Sequence, residues 1–231
     1  MRNTKYIGLI LVIIIFGFIF IPKIVSRITN SKIVESNRSQ SSIPLQYVFL
    51  NGEAKKVPEF AFLNQDSIII SNEDFNKKVY VAEFFFTSCP SICPIMNKNM
   101  KRIENRFGKR QDFGIASFSI DPIKDTPSVL KAYAETYDVF SQNWHFLTGE
   151  KDKIYNLANE GFNIFASVNS RVAGGFEHQG YFALIDKNGF IRCRSDQFGN
   201  PIVYYMGVDE EDVEIQEVDL LIDDIEKLLK E

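Results

Sequence analysis

The sequence predicts an α/β domain, and three observations carry that prediction. Two apolar, β-rich runs, Val79–Phe86 (VYVAEFFF) and Phe113–Ile120 (FGIASFSI), have the unbroken hydrophobicity of strands buried on both faces. Segments with helical spacing separate and follow them. A later pair of strand-like runs is joined by an Asn-Gly turn, a strong short-range hairpin signal.

Taken in order, the first run is followed by Pro94 and then by Met96, Met100, Ile103 and Phe107. Those residues line one face of a helix that Gly108 stops. The second run leads into two helical segments. Pro127–Tyr137 carries Val129, Tyr133 and Tyr137, and Glu150–Glu160 carries Ile154, Leu157 and Ala158. Tyr181–Asp186 and Phe190–Arg194 are strands joined by Lys187-Asn188-Gly189, and Val218, Leu221, Ile222, Ile225, Leu228 and Leu229 form one face of a last helix. The order strand–helix–strand–helix–helix–hairpin–helix suits a thioredoxin-like sandwich spanning residues 45–231.

Ahead of that domain, Tyr6–Ile21 is uncharged and almost wholly apolar, flanked by Arg2 and Lys5 and by Lys23 and Arg27. A helix needs about 20 apolar residues to cross a bilayer, and this run reaches that length at Val25 if Lys23 snorkels to the headgroups. No small-x-small cleavage site follows it and no Cys precedes Cys89, so a membrane anchor over residues 1–28 is expected rather than a cleaved signal or a lipoprotein. Flanking charge does not orient it, because Lys23, Arg27, Lys32 and Arg38 only slightly outnumber Arg2 and Lys5. Residues 29–44, polar and Ser/Asn-rich, read as a flexible linker.

The 231 residues are 45% hydrophobic and 24% charged, with net charge −4 and pI about 5.4. These values exclude a disordered chain, a collagen-like repeat and a disulfide-dense miniprotein. They also argue against a nucleic-acid partner, which would require a cationic surface. With three Cys and two His in the whole chain, thiol or soft-metal chemistry has few places to reside.

The pair Cys89 and Cys93, in Thr87-Ser88-Cys89-Pro90-Ser91-Ile92-Cys93-Pro94, falls between a buried strand and a helix. If the segment has begun to turn helically, both thiols share one face. Unpaired N–H groups at a helix start favour thiolates, and Pro94 is tolerated there. The pair fits either a redox dithiol or two ligands of a soft metal. C-x3-C is one residue longer than the C-x2-C of thioredoxin-type exchangers.

A metal would need a third ligand. His178 is flanked by Gly174, Gly175 and Gly180 in a loop expected to be mobile, just before the strand Tyr181–Asp186. His145, boxed between Trp144 and Phe146, reads as a packing or surface residue, and Cys193 as a buried, unreactive thiol. Two sulfurs and one imidazole suit copper(I) or copper(II) ahead of zinc, since structural zinc would want a fourth protein ligand.

The blocks FFFTSCPSICP, SIDPIKDTP (Ser119–Pro127), WHFLTGEKDKI and His178 followed by FALIDKNG resemble the SCO/SenC family of copper-binding, thioredoxin-fold proteins, in the same order and spacing through most of residues 57–188. The resemblance implies copper held by Cys89, Cys93 and His178. It further implies help in assembling the copper A centre of cytochrome c oxidase, with subunit II or another copper protein as partner. The implied location is a bacterial inner membrane with the domain in the periplasm. Asp121 and Asp125 match the family's paired aspartates, for which a structural or ligand-supporting role is expected; a turn with a Thr126 cap explains them equally well. Glu177 stands where relatives often carry Asp, and the acidic stretch Pro201–Glu217 is longer than expected and reads as a solvated loop. Two alternatives stay open: a thiol–disulfide oxidoreductase using Cys89 and Cys93, and a peroxiredoxin-like peroxidase, which Thr87 and Cys89 fit poorly.

Overall fold

The structure, a computed structural model, describes residues 16, 20, 21, 44–195, 198–211, 213 and 215–231. The apolar run and the linker lie outside the described residues, apart from Phe16, Phe20, Ile21 and Pro44. No helix among the described residues is long and apolar enough to cross a membrane. The chain divides into Met1–Ser39 and Gln40–Glu231, and the fold below belongs to the second unit.

Strand β1 (Gln46–Tyr47) and two short hairpins, β2–β3 (Phe49–Leu50, Glu53–Ala54) and β4–β5 (Ala61–Leu63, Ile69–Ser71), precede the core. Then come β6 (Val79–Phe85), α1 (Cys93–Phe107), β7 (Phe113–Ser119), α2 (Pro127–Thr136), β8 (Trp144–Leu147) and α3 (Lys151–Asn156). After them follow β9 (Ala166–Val168), β10 (Phe176–His178), β11 (Tyr181–Ile185), β12 (Ile191–Ser195), β13 (Pro201–Ile202), β14 (Tyr205–Met206) and α4 (Glu217–Lys230).

The main sheet runs β1-β12-β11-β6-β7-β8, with β6, β7 and β8 parallel and β11 and β12 antiparallel beside them. All seven residues of β6 and of β7 are buried, as their continuous apolar sequence requires. Phe85 packs on Tyr133 of α2 and Phe146 of β8. On the opposite face Phe84 stacks on Phe118 and meets Phe162. Full burial of each such ring contributes about 1.5–3 kcal/mol. The Asn-Gly turn forms as expected, with Gly189 at φ +83°, joining β11 to β12.

Several expectations need correction. The helix expected over Glu150–Glu160 is α-helical only to Asn156, after which Leu157–Phe162 widens into a π-helical turn ending at left-handed Asn163. Pro201–Glu217 is not simply a solvated loop, because β13 pairs with β12 and β14 with β11. Tyr205 is buried and donates to Asp224 of α4 at 2.7 Å. Pro127 starts α2 as expected, but Thr126 does not cap it through its side chain; the hydroxyl lies 3.0 Å from that of Ser128.

Candidate metal centre

β6 delivers the chain to the carboxyl edge of the parallel strands, where α/β sheets place their sites. A turn follows, closed by the Cys89 N–H donating to the Phe86 carbonyl at 3.2 Å. α1 begins at Cys93 with no side chain of its N-cap residue, Ile92, accepting a bond. The Cys93 N–H donates instead to Cys89 Sγ at 3.4 Å. The sulfur thereby satisfies a helix-start donor and lies in the positive end of the helix dipole. Only Cys93 is helical; Cys89 precedes the helix, so the two sulfurs converge through this bond and not by sharing a helical face.

His178 ends β10, which pairs with β9 in a two-stranded sheet (Phe176 opposite Val168, His178 opposite Ala166). The loop expected to be mobile is thus a β-hairpin. Its turn uses Gly174 and Gly175 at φ +88° and +82°, and a Cβ on Gly174 would lie 2.9 Å from the Phe86 ring. Phe86 also packs edge-on against the His178 ring at 5.9 Å and against Phe176 at 5.2 Å.

His178 Nε2 lies 3.3 Å from Cys93 Sγ. Nδ1 lies 3.3 Å from the Gln179 carbonyl, which accepts from it when Nδ1 carries the proton; in that tautomer Nε2 would be the nitrogen free to bind an ion beside the sulfurs. The Cys89, Cys93 and His178 donor atoms all lie within 4.8 Å of one another, the one such cluster of His, Cys, Asp and Glu among the described residues. Bonds of about 2.0–2.3 Å to a three-coordinate ion place its donors roughly 3.5–4 Å apart, so the set closes on a soft ion with sub-ångström adjustment.

The thiols divide one proton unequally. Cys89 is held well below the usual thiol range by the Cys93 side chain, by His178 and by backbone N–H groups of Cys93 and Ser91, which together outweigh burial. Cys93, with no exposed surface, is pushed up because it keeps the shared proton and is desolvated. Both are free thiols. Cys89 and His178 open into a cleft of about 190 Å³ walled by Phe86, Ile92, Val172, Ala173 and Phe176.

The other sequence-predicted residues fall elsewhere. His145 is partly buried on β8, against the Phe75 ring and 3.4 Å from the Asn64 amide, and the larger cleft beside it, of about 380 Å³, is lined by no cysteine. Cys193 is fully buried on β12, its thiol raised by desolvation. Asp121 and Asp125 are buried outside the donor cluster. Asp121 shapes a turn, its carbonyl accepting from the Lys124 and Asp125 N–H groups at 3.0 and 2.9 Å. The bonds that Thr87 and Ser119 make to Asp125 escaped the sequence reading, although Thr87 stands two residues before Cys89. Glu83 also escaped it, although an acid inside VYVAEFFF was the visible signal. It is fully buried, accepts from Ser117 at 2.7 Å, and is raised to about 7 by desolvation.

A mixed α/β sheet with two cysteines at a strand–helix junction and a histidine beside them defines a thioredoxin-like domain with a soft donor set. Residues 50–210 match the family model described as SCO1/SenC, and the chain belongs to that family. The SCO1 protein homolog of Bacillus subtilis is 34% identical over 138 residues, covering 58% of this chain and 70% of its own. The solved structure of BsSco, described as a member of the Sco family of cytochrome c oxidase assembly proteins with a disulfide switch, superposes with a TM-score of 0.60 at 31% identity, covering 75% of this chain and 93% of its own. ScoI of Bradyrhizobium japonicum, solved with copper bound, shares the fold at 17% identity and a TM-score of 0.57, covering 75% of this chain and 99% of its own.

Proposed function

We propose that this protein is a copper metallochaperone that binds one copper ion through Cys89, Cys93 and His178 and delivers it during assembly of the copper A centre of cytochrome c oxidase. The receiving partner is subunit II of the oxidase or another copper protein. The observation that carries the reading is the convergence of two sulfurs and one imidazole nitrogen within 4.8 Å, with Cys89 and His178 lining a cleft. Copper is the cargo: three soft donors without a fourth protein ligand hold it firmly while leaving a side open for transfer. The family, and the copper-bound state of the Bradyrhizobium relative, support the same ion. The apolar run Tyr6–Ile21 supports a membrane anchor, and the SCO1/SenC family supports a domain facing the periplasm of a bacterium.

Titrating the reduced protein with copper tests this. One equivalent should bind, with thiolate-to-copper(II) charge-transfer bands that vanish in Cys89→Ser and in Cys93→Ser. Native-like affinity in His178→Ala would reject the three-ligand site.

A second reading rests on the same pair of free thiols. Cys89, poised as a thiolate beside a protonated Cys93, suits a thiol–disulfide reductase for the cysteines of a copper-protein partner. Turnover of disulfide substrates with no copper uptake would favour it over the chaperone.

A further inference from the structure

The Asp125 carboxylate has no exposed surface, yet it lies away from the three donor atoms. It accepts three hydrogen bonds. The Thr87 N–H donates at 3.0 Å, and the Thr87 and Ser119 hydroxyls donate in two short bonds. Ser119 is the last residue of β7, and its hydroxyl oxygen also accepts from the Asp121 N–H at 3.1 Å. Thr87 is the first residue of the turn that carries Cys89, whose own N–H reaches back to Phe86. One buried carboxyl side chain therefore fastens the start of the dithiol turn to the end of a core strand. With its oxygens engaged by donors of this chain, the carboxylate is not available to an ion in the cleft.

We propose that Asp125 is the positioning residue of the dithiol, acting through Thr87 to hold Cys89 where its sulfur meets the Cys93 N–H and faces His178. Hydrogen bonds to an ionised acceptor are about twice as strong as neutral ones and restrict geometry. Groups that orient ligands in this way typically change metal affinity by roughly 10–100-fold when removed. This role rests on the dithiol being the working site, whether for copper or for disulfide exchange.

The test compares Asp125→Asn, Thr87→Val, Thr87→Ser and Ser119→Ala in the full chain, reading the metal-free dithiol–disulfide equilibrium against glutathione, copper release to a chelator and the melting temperature. In Asp125→Asn and Thr87→Val the equilibrium should move at least tenfold toward the disulfide, about 30 mV for a two-electron couple, and copper should leave at least tenfold faster. Thr87→Ser, which keeps the hydroxyl, should restore both values. Ser119→Ala removes a bond to the same carboxylate without touching Thr87, so it should lower the melting temperature while leaving the equilibrium within about twofold of the wild type. A folded Asp125→Asn with wild-type equilibrium and release overturns the proposal, as does a Ser119→Ala shift as large as that of Thr87→Val. Should Asp125→Asn fail to fold, the two Thr87 variants decide: wild-type values in Thr87→Val overturn it. The metal-free equilibrium is read without copper, so a protein that took up no copper would sink the chaperone reading and leave this test intact.

Discussion

Cys93 has no exposed surface and opens a helix whose inner face is buried at Met96, Met100, Ile103 and Phe107, whereas His178 ends a three-residue strand in a two-stranded sheet of its own. The turn before Cys93 is fastened to the core through Asp125. The hairpin carrying His178 turns on two glycines in the left-handed region and rests its tip against Phe86 and Pro90. In the proposed copper site, Cys89 and Cys93 therefore belong to the folding core and His178 to a peripheral element. Local opening free energies range from near zero at such margins up to the global stability in the core, so the histidine can leave an ion while the sulfurs stay in place. For a carrier, that asymmetry supplies a route to hand cargo on without unfolding.

The largest expected effect comes from the core side. Cys93→Ser should weaken copper binding by about a thousandfold, since one of three ligands accounts for on the order of 4 kcal/mol. Competition with a chelator of known affinity measures it, and a loss below tenfold would mean that the helix start is not a ligand.

Next in size is a pH effect in the same half of the molecule. Burial raises the Glu83 carboxyl from 4.5 to about 7, so the folded state binds a proton more tightly than the unfolded chain. Its stabilising contribution is complete below about pH 4.5 and is lost as pH rises to about 7, a change on the order of 3 kcal/mol. Glu83→Gln keeps a partner for Ser117 and should remove that decline. Urea unfolding of the metal-free protein at pH 5 and pH 8 shows the outcome, and equal pH slopes for the two proteins would contradict it.

On the peripheral side, His178→Ala should weaken copper binding by roughly a hundredfold. The melting temperature of the metal-free protein should move by less than about 2 °C, because the side chain is only partly buried at the margin. A large drop in melting temperature would place the hairpin in the core unit. Gly174→Ala is the mildest change. A Cβ there meets Phe86 at 2.9 Å from a φ of +88°, a strain of about 1 kcal/mol. Copper release should quicken about fivefold while the melting temperature stays nearly fixed; unchanged release would show that hairpin seating does not govern the third ligand.

The parts of this arrangement that were readable in the sequence are those whose signal is local. β6 and β7 announce themselves as unbroken apolar runs, α1 by the spacing of Met96 to Phe107, and the β11–β12 turn by Asn188-Gly189. Cys89 and Cys93 stand at a strand–helix junction, and His178 was reachable because the chain has only two histidines. The remainder depends on contacts between distant segments. The β9–β10 hairpin looks like a glycine-containing loop because its short strands carry little apolar alternation. Nothing within VDEED foretells that Tyr205, a few residues earlier, will seek Asp224. The Asp125 carboxylate acquires its meaning only when β7 is laid beside β6, bringing Ser119 opposite Phe85 in register.

Arg194 meets Asp224 at 2.8 Å with both side chains buried, and Lys227 and Tyr205 reach the same carboxylate. Neutralising Asp224 strands the Arg194 charge in the interior, at a cost of about 3–5 kcal/mol, whereas Asp224 without Arg194 keeps Lys227 and Tyr205. The fourteen residues of α4 are in the same sense a structural lien on β12, so that trimming the C-terminus would be felt in the sheet bearing the thiols.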